Sequence, residues 1–254
     1  MVQMSLPRNL WLAPPGSPAL KNGDVHVWRV RLDQPPPIRE TLSTLLDPDE
    51  KQRATSFCFP KDREHFSVAR GALREVLSRY LHISAKRIQF TPNEYGKPSV
   101  SGQTSENRLR FNLSHSHGVA LYALTGCGAI GVDIELIREE VAGLLIAKGC
   151  FSPIELSKLR ALPRDLQTTA FFRCWTRKEA YIKARGEGLS HPLDQFVVSL
   201  APGEPASLLH TANDPTEASE WSLRDVDPYP NYVAAIAVRS QAPTLHHWKL
   251  FDED

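Results

Sequence analysis

Helical-type segments followed by strand-type segments occur twice along this 254-residue chain, on either side of a middle near residues 135–140. The length allows one large domain or two small ones, each able to bury a core, and running through one order of elements twice points to an α+β fold of two similar halves. The division expected is an amino-terminal arm at residues 1–23, a first α+β half at 24–136 and a second at 137–254. No residue-level repeat accompanies the repeated order.

Within the first half, the proline-rich arm precedes a strand at 24–32 carrying Val25, Val27, Trp28 and Val30, and Pro35, Pro36 and Pro37 end it. A short helix is predicted at 38–46. Asp47 can cap the next, with Pro48 in its first turn. Residues 62–81 place Phe66, Ala69, Leu73, Val76, Leu77 and Tyr80 at helical spacing, with Arg63, Arg70 and Arg74 on the other face. Strand and turn chemistry fill 88–100, and three short β-type runs at 109–113, 119–125 and 129–135 predict an antiparallel meander. The second half predicts helices at 141–148, 152–162 and 166–185, the middle one capped by Ser152 with Glu155 in the capping-box position. Strands follow at 196–200, 220–226 and 232–238, with an exposed polar loop at 201–219.

Composition limits the function. Thirty Lys+Arg against 29 Asp+Glu exclude a binder that holds nucleic acid by overall basicity, so any polyanion site must be local. The four cysteines, Cys58, Cys127, Cys150 and Cys174, lack metal-ligand spacing and argue against structural zinc and a disulfide framework. No apolar run approaches the roughly 20 residues of a membrane span, and the opening residues lack a signal-peptide pattern. A cytoplasmic protein without membrane or nucleic-acid partners is expected.

From Ile130 to Glu135 apolar and other residues alternate. Ile130, Val132 and Ile134 share one face of a strand, and Gly131, Asp133 and Glu135 the other. Carboxylates two apart on a strand stand roughly 6.5 Å apart at Cα, close enough to share an ion and repulsive without one. A solvated edge face is the plain alternative. In the helix over 166–185, Glu179 falls between Phe172 and Trp175 on the apolar stripe, with Lys178 and Lys183 on its margins. A structural Glu179–Lys183 pair is one explanation. The other is that Glu179 meets Asp133 and Glu135, in which case three oxygen donors suit a hard cation such as Mg2+ holding a phosphate substrate. Candidate phosphate contacts are Ser114 and His115 in a strand-to-turn segment, Lys97 in Tyr95-Gly96-Lys97-Pro98, and Arg53, Arg70 and Arg74 on helices. Acids that collect a cation and bases that collect phosphate are both needed for phosphoryl transfer.

Gly131-Val132-Asp133-Ile134-Glu135, followed some forty residues later by Trp175-Thr176-Arg177-Lys178-Glu179-Ala180-Tyr181-Ile182-Lys183, resembles the paired signature of the 4′-phosphopantetheinyl transferases, in the larger type that activates peptide and polyketide synthases. Supporting matches extend over most of the chain. The resemblance implies a monomer of two halves related by a pseudo-twofold axis, with coenzyme A in the cleft between them. It implies transfer of the phosphopantetheine arm to a serine of an acyl or peptidyl carrier protein, releasing adenosine 3′,5′-bisphosphate. By position, Asp133, Glu135 and Glu179 take the magnesium-ligand roles. Arg53, Arg70, Lys97, Ser114 and His115 fall at nucleotide and phosphate contacts, with Lys51 and Arg74 matched beside them, and Lys178 and Lys183 lie near the pyrophosphate. Glu179, directly or through a metal-bound water, is the candidate base, and Lys183 the group that protonates or stabilises the departing bisphosphate. Two other readings use the same residues: a coenzyme A or nucleotide-binding regulator, and a magnesium-dependent phosphohydrolase that uses water in place of serine.

Overall fold

The computed structural model describes residues 10–104, 108–140, 143–188, 191–212, 214 and 216–252. The helix expectation at Val141 and the arm before Leu10 lie outside them. The first unit runs β1 (Asp24–Arg31), α1 (Pro36–Ser43), α2 (Pro48–Thr55), α3 (Pro60–Leu81), the hairpin β2 (Phe90–Pro92) and β3 (Pro98–Val100), then β4 (Arg110–Ser116) and β5 (Val119–Thr125). The second runs β6 (Ile130–Leu136), α4 (Gly143–Cys150), α5 (Pro153–Ala161), α6 (Arg164–Arg185), the hairpin β7 (Phe196–Val198) and β8 (Leu208–Thr211), then β9 (Ser222–Val226) and β10 (Tyr232–Val238). A last strand, β11 (Thr244–Lys249), follows.

The two units share a topology. In the first, β1 pairs antiparallel with β5 and β5 with β4; in the second, β6 pairs antiparallel with β10 and β10 with β9. Each unit also has one 22-residue helix, α3 or α6. The similar α+β halves expected are therefore present, with two corrections to their limits. β6 opens the second unit instead of closing the first, so it leaves the expected meander: β4 and β5 form a hairpin, while β6 pairs with β10. β11 returns to the first unit and pairs in parallel with β1, and Leu12 of the arm bridges Trp248 beyond it. β8 lies inside the segment read as a loop.

Alternation sorts the core. Val25, Val27, Val119, Leu121 and Ala123 of the first sheet meet Ile130, Val132, Ile134, Ala234, Ile236 and Val238 of the second in one apolar layer. The opposite face of the first sheet, with Trp28, Val30, Ala120, Tyr122 and Leu124, packs under α3. The opposite face of the second, with Val233, Ala235 and Ala237, packs under α6. Helix, sheet, sheet and helix thus form four layers, and Gly131, Asp133 and Glu135 face α6 by their place in the alternation.

Two of the shorter helices, α2 and α5, are set by capping boxes. Asp47 Oδ1 accepts from Glu50 N at 2.9 Å while Glu50 Oε2 accepts from Asp47 N at 3.0 Å. Ser152 and Glu155 form the same box at the start of α5. Both box glutamates have a second task. Glu50 holds Arg74 of α3, and Glu155 holds Lys178 of α6, and each of these cations is the fifteenth residue of its helix.

Candidate active site

Asp133 and Glu135 reach α6 because Gly131 lets that helix lie on the strand. A Cβ at Gly131 would stand 2.0 Å from Ala180 O and 2.4 Å from Ala184 N. No other residue type permits this approach without displacing backbone. β6 is an edge strand whose open side is addressed by alternate polar side chains of β4. Asn112 Oδ1 accepts from Val132 N at 2.9 Å; Ser114 Oγ donates to Asp133 Oδ1 and Ser116 Oγ to Glu135 Oε2, both at 2.9 Å. These serine bonds fix the carboxylates against rotation.

From α6, Lys183 Nζ approaches Asp133 Oδ1 to 2.6 Å and Ser114 Oγ to 3.0 Å. The i,i+4 pair with Glu179 gives way to this cross-element pair. Asp133 is 3 % exposed, and its Oδ2 is buried with no hydrogen-bond partner among the described residues. Burial pushes its carboxyl up against the opposing pull of Lys183 and Ser114. Burial and then Asp133 raise Glu135. Glu179, half-buried, is pushed up to about 7, first by burial and then by Asp133, with Lys183 opposing and Glu135 adding to the rise. The three acids therefore act on one another's charge. Their oxygens do not all lie within 4.8 Å of one another; Asp133 is held fast, whereas Glu135 and Glu179 are longer and part-exposed. His115, on the same strand as Ser114, is held below its ordinary value by burial and then by Lys183 and His65.

The remaining expected phosphate contacts divide. Arg53 is exposed on α2, as is Lys51, and Arg70 lies over the Phe90 ring at 4.0 Å while paired with Glu50. Arg74 is a correction. It is fully buried, and its guanidinium donates to Glu50, Asp47, Ala85 O and Ile88 O, so it holds α2 and the turn after α3 to the helix. Lys178 is a second correction. It points away from Glu179 into the core of the second unit, where Nζ meets Glu155 at 2.8 Å, Leu193 O at 2.7 Å and Phe196 O at 2.6 Å. Three partners saturate an ammonium. Lys97 likewise spends its three donors on Ile130 O, Lys183 O and Ala184 O, tying the β2–β3 turn to the end of α6; burial, then Arg110, lowers it to about 8. It braces the site.

A family model described as the 4′-phosphopantetheinyl transferase superfamily matches residues 129–237, and one for the amino-terminal part of a 4′-phosphopantetheinyl transferase matches 36–126. The chain is 39% identical over 231 residues to the 4′-phosphopantetheinyl transferase HetI of Nostoc sp., covering 91% of this chain and 94% of that protein. The chain belongs to the 4′-phosphopantetheinyl transferase superfamily. It is also 34% identical to the 4′-phosphopantetheinyl transferase Sfp of Bacillus subtilis, over 63% of this chain and 69% of that one. The human L-aminoadipate-semialdehyde dehydrogenase-phosphopantetheinyl transferase is 26% identical, over 79% and 69%. The two matched segments, 36–126 and 129–237, fall one on each unit and part at the turn before β6. The transferase is thus an enzyme that moves the phosphopantetheine arm of coenzyme A to a carrier-protein serine.

Asn112 and Ser116, which hold β6 and Glu135 in place, were not among the expected site residues. Their signal is present: polar residues at 112, 114 and 116 alternate with the period of the acids at 133 and 135.

Proposed function

We propose that the transferase works with Asp133, Glu135 and Glu179 as the protein ligands of a divalent cation, and with Glu179 as base. The observation that carries this reading is the buried Oδ2 of Asp133, which has no hydrogen-bond partner among the described residues and belongs to the side of β6 that lies on the helix bearing Glu179. Leaving such an oxygen unmet is costly. A donor set of carboxylate oxygens alone fits Mg2+ better than a softer metal. When bound, the ion supplies neutralisation of the pyrophosphate oxygens.

This chain's own residues then have separate tasks. Ser114 and Ser116 orient Asp133 and Glu135. Glu179, whose proton affinity burial and then Asp133 raise in the metal-free fold, takes the proton from the serine hydroxyl, directly or through a metal-bound water. Lys183 counters the negative charge of all three acids and presents its cation where the bisphosphate leaves. His115 at the open side, with Arg53 and Arg70, supplies donors for the nucleotide phosphates. The product beside the holo-carrier is adenosine 3′,5′-bisphosphate, and the enzyme acts as a monomer.

The test is loading of purified apo-carrier, read as a mass gain equal to the phosphopantetheine arm. Full loading with Mg2+ and none after chelation, restored by returning Mg2+, supports the assignment. Undiminished loading in chelator contradicts it. Bisphosphate release without carrier at the same rate would favour the hydrolase reading.

A further inference from the structure

We propose that Asp24, His26 and His246 form a second metal site, for a divalent transition ion of the zinc class, that clips the last strand to the first. Asp24 and His26 are two apart on β1 and so share a face. His246 lies directly opposite His26 in the parallel pairing of β11 with β1. One ligand atom from each of the three residues lies within 4.8 Å of the others. Nε2 of His246 is 3.5 Å from Asp24 Oδ1, and Nε2 of His26 is 3.9 Å from Asp24 Oδ2. Ligands about 2.0–2.2 Å from a tetrahedral zinc stand a little over 3 Å apart, so small side-chain adjustments close the set.

The outer groups are also in place. Tyr80 Oη, held by Trp28 Nε1 at 2.8 Å, lies 2.7 Å from His26 Nδ1, which orients the ring with Nε2 toward Asp24. Such a partner on the second ring nitrogen is what a ligating histidine requires. Lys21 N donates to Asp24 Oδ2 at 3.0 Å and leaves Oδ1 toward His246. His26 is 3 % exposed, while the His246 side chain is 37 % exposed and gives an ion its way in and a place for water. Two imidazoles and one carboxylate suit zinc or its neighbours and not Mg2+.

The site is separate from the acids on β6. Asp24 and His26 share the α3-facing side of the first sheet with Trp28, whereas Asp133 and Glu135 face α6 beyond the other sheet. Spacing motifs could not reveal it, because its ligands come from the two ends of the chain.

The full chain, stripped with chelator and dialysed into excess Mg2+ so that carboxylate sites are filled, is titrated with Zn2+ against a chromophoric chelator. One equivalent should bind, and His246→Gln, at a part-exposed position, should weaken that binding at least tenfold. Co2+ should give visible d–d bands without thiolate charge transfer, and Zn2+ should raise the melting temperature of the wild type and not of the variant. Failure to compete with the chelator, or equal binding by wild type and variant, overturns the proposal.

Discussion

Lys183 Nζ lies 2.6 Å from Asp133 Oδ1, and the first unit puts an arginine over a tryptophan in the same place. Arg79 and Lys183 are each the twentieth residue of their long helices, and Arg79 stacks 5.4 Å from the Trp28 ring. Trp28 pairs with the fourth residue of β5, as Asp133 pairs with the fourth of β10. The two units thus share a scaffold, and one of them carries an acid where the other carries an indole.

Removing the Lys183 cation takes away a charge that favours ionisation of Asp133, Glu135 and Glu179. In Lys183→Met the acidic limb of the kcat/KM profile for carrier loading should move to higher pH, with loading at neutral pH reduced. A profile that keeps its midpoint would show that Lys183 does not act on these groups.

Glu179 binds a proton more tightly in the folded chain than its ordinary value of 4.5 allows. Below pH 4.5 it is protonated in both states, and between there and about 7 the folded state holds more protons. Metal-free stability from this group therefore falls as pH rises through that window. Mg2+ should raise the melting temperature more at pH 8 than at pH 5, and Glu179→Gln should shrink the difference. Equal Mg2+ stabilisation at both values would contradict the assignment.

Lys178 and Glu155 are both fully buried and paired. Lys178→Ala strands the glutamate and should cost about 3–5 kcal/mol in urea unfolding. The double change Glu155→Leu with Lys178→Met should recover much of that. If Lys178 instead contacts phosphate, Lys178→Ala would raise the KM for coenzyme A with stability unchanged.

Gly131→Ala sets a methyl 2.0 Å from Ala180 O. The helix must shift, at a cost of about 1–3 kcal/mol for overpacking, and Glu179 and Lys183 shift with it. Loading per folded molecule should drop together with the denaturation midpoint; a change in neither would mean that the helix is not seated by this glycine.

The face of β6 was legible in the sequence because strand alternation is a local property, and so were the Asp47 cap and the Ser152–Glu155 box because capping acts within one turn. Arg74 and Lys178 were not, because their partners Glu50 and Glu155 sit on other helices, 24 and 23 residues away in sequence. A helical wheel gives the angle of Lys178 beside Glu179 but not what packs there. β11 escaped because His246, His247 and Trp248 lack the apolar alternation of a strand and are fixed by pairing with β1 at the far end of the chain. Lys97 was correctly set in a turn, but its acceptors on α6 and β6 belong to the fold.

The most direct measurement is single-turnover loading of a carrier by Glu179→Gln beside the wild type, with urea unfolding of both. The glutamine keeps the shape and removes the proton acceptor, so loading should fall on the order of 100-fold or more while the unfolding midpoint holds or rises. Loading within twofold of wild type would contradict the account.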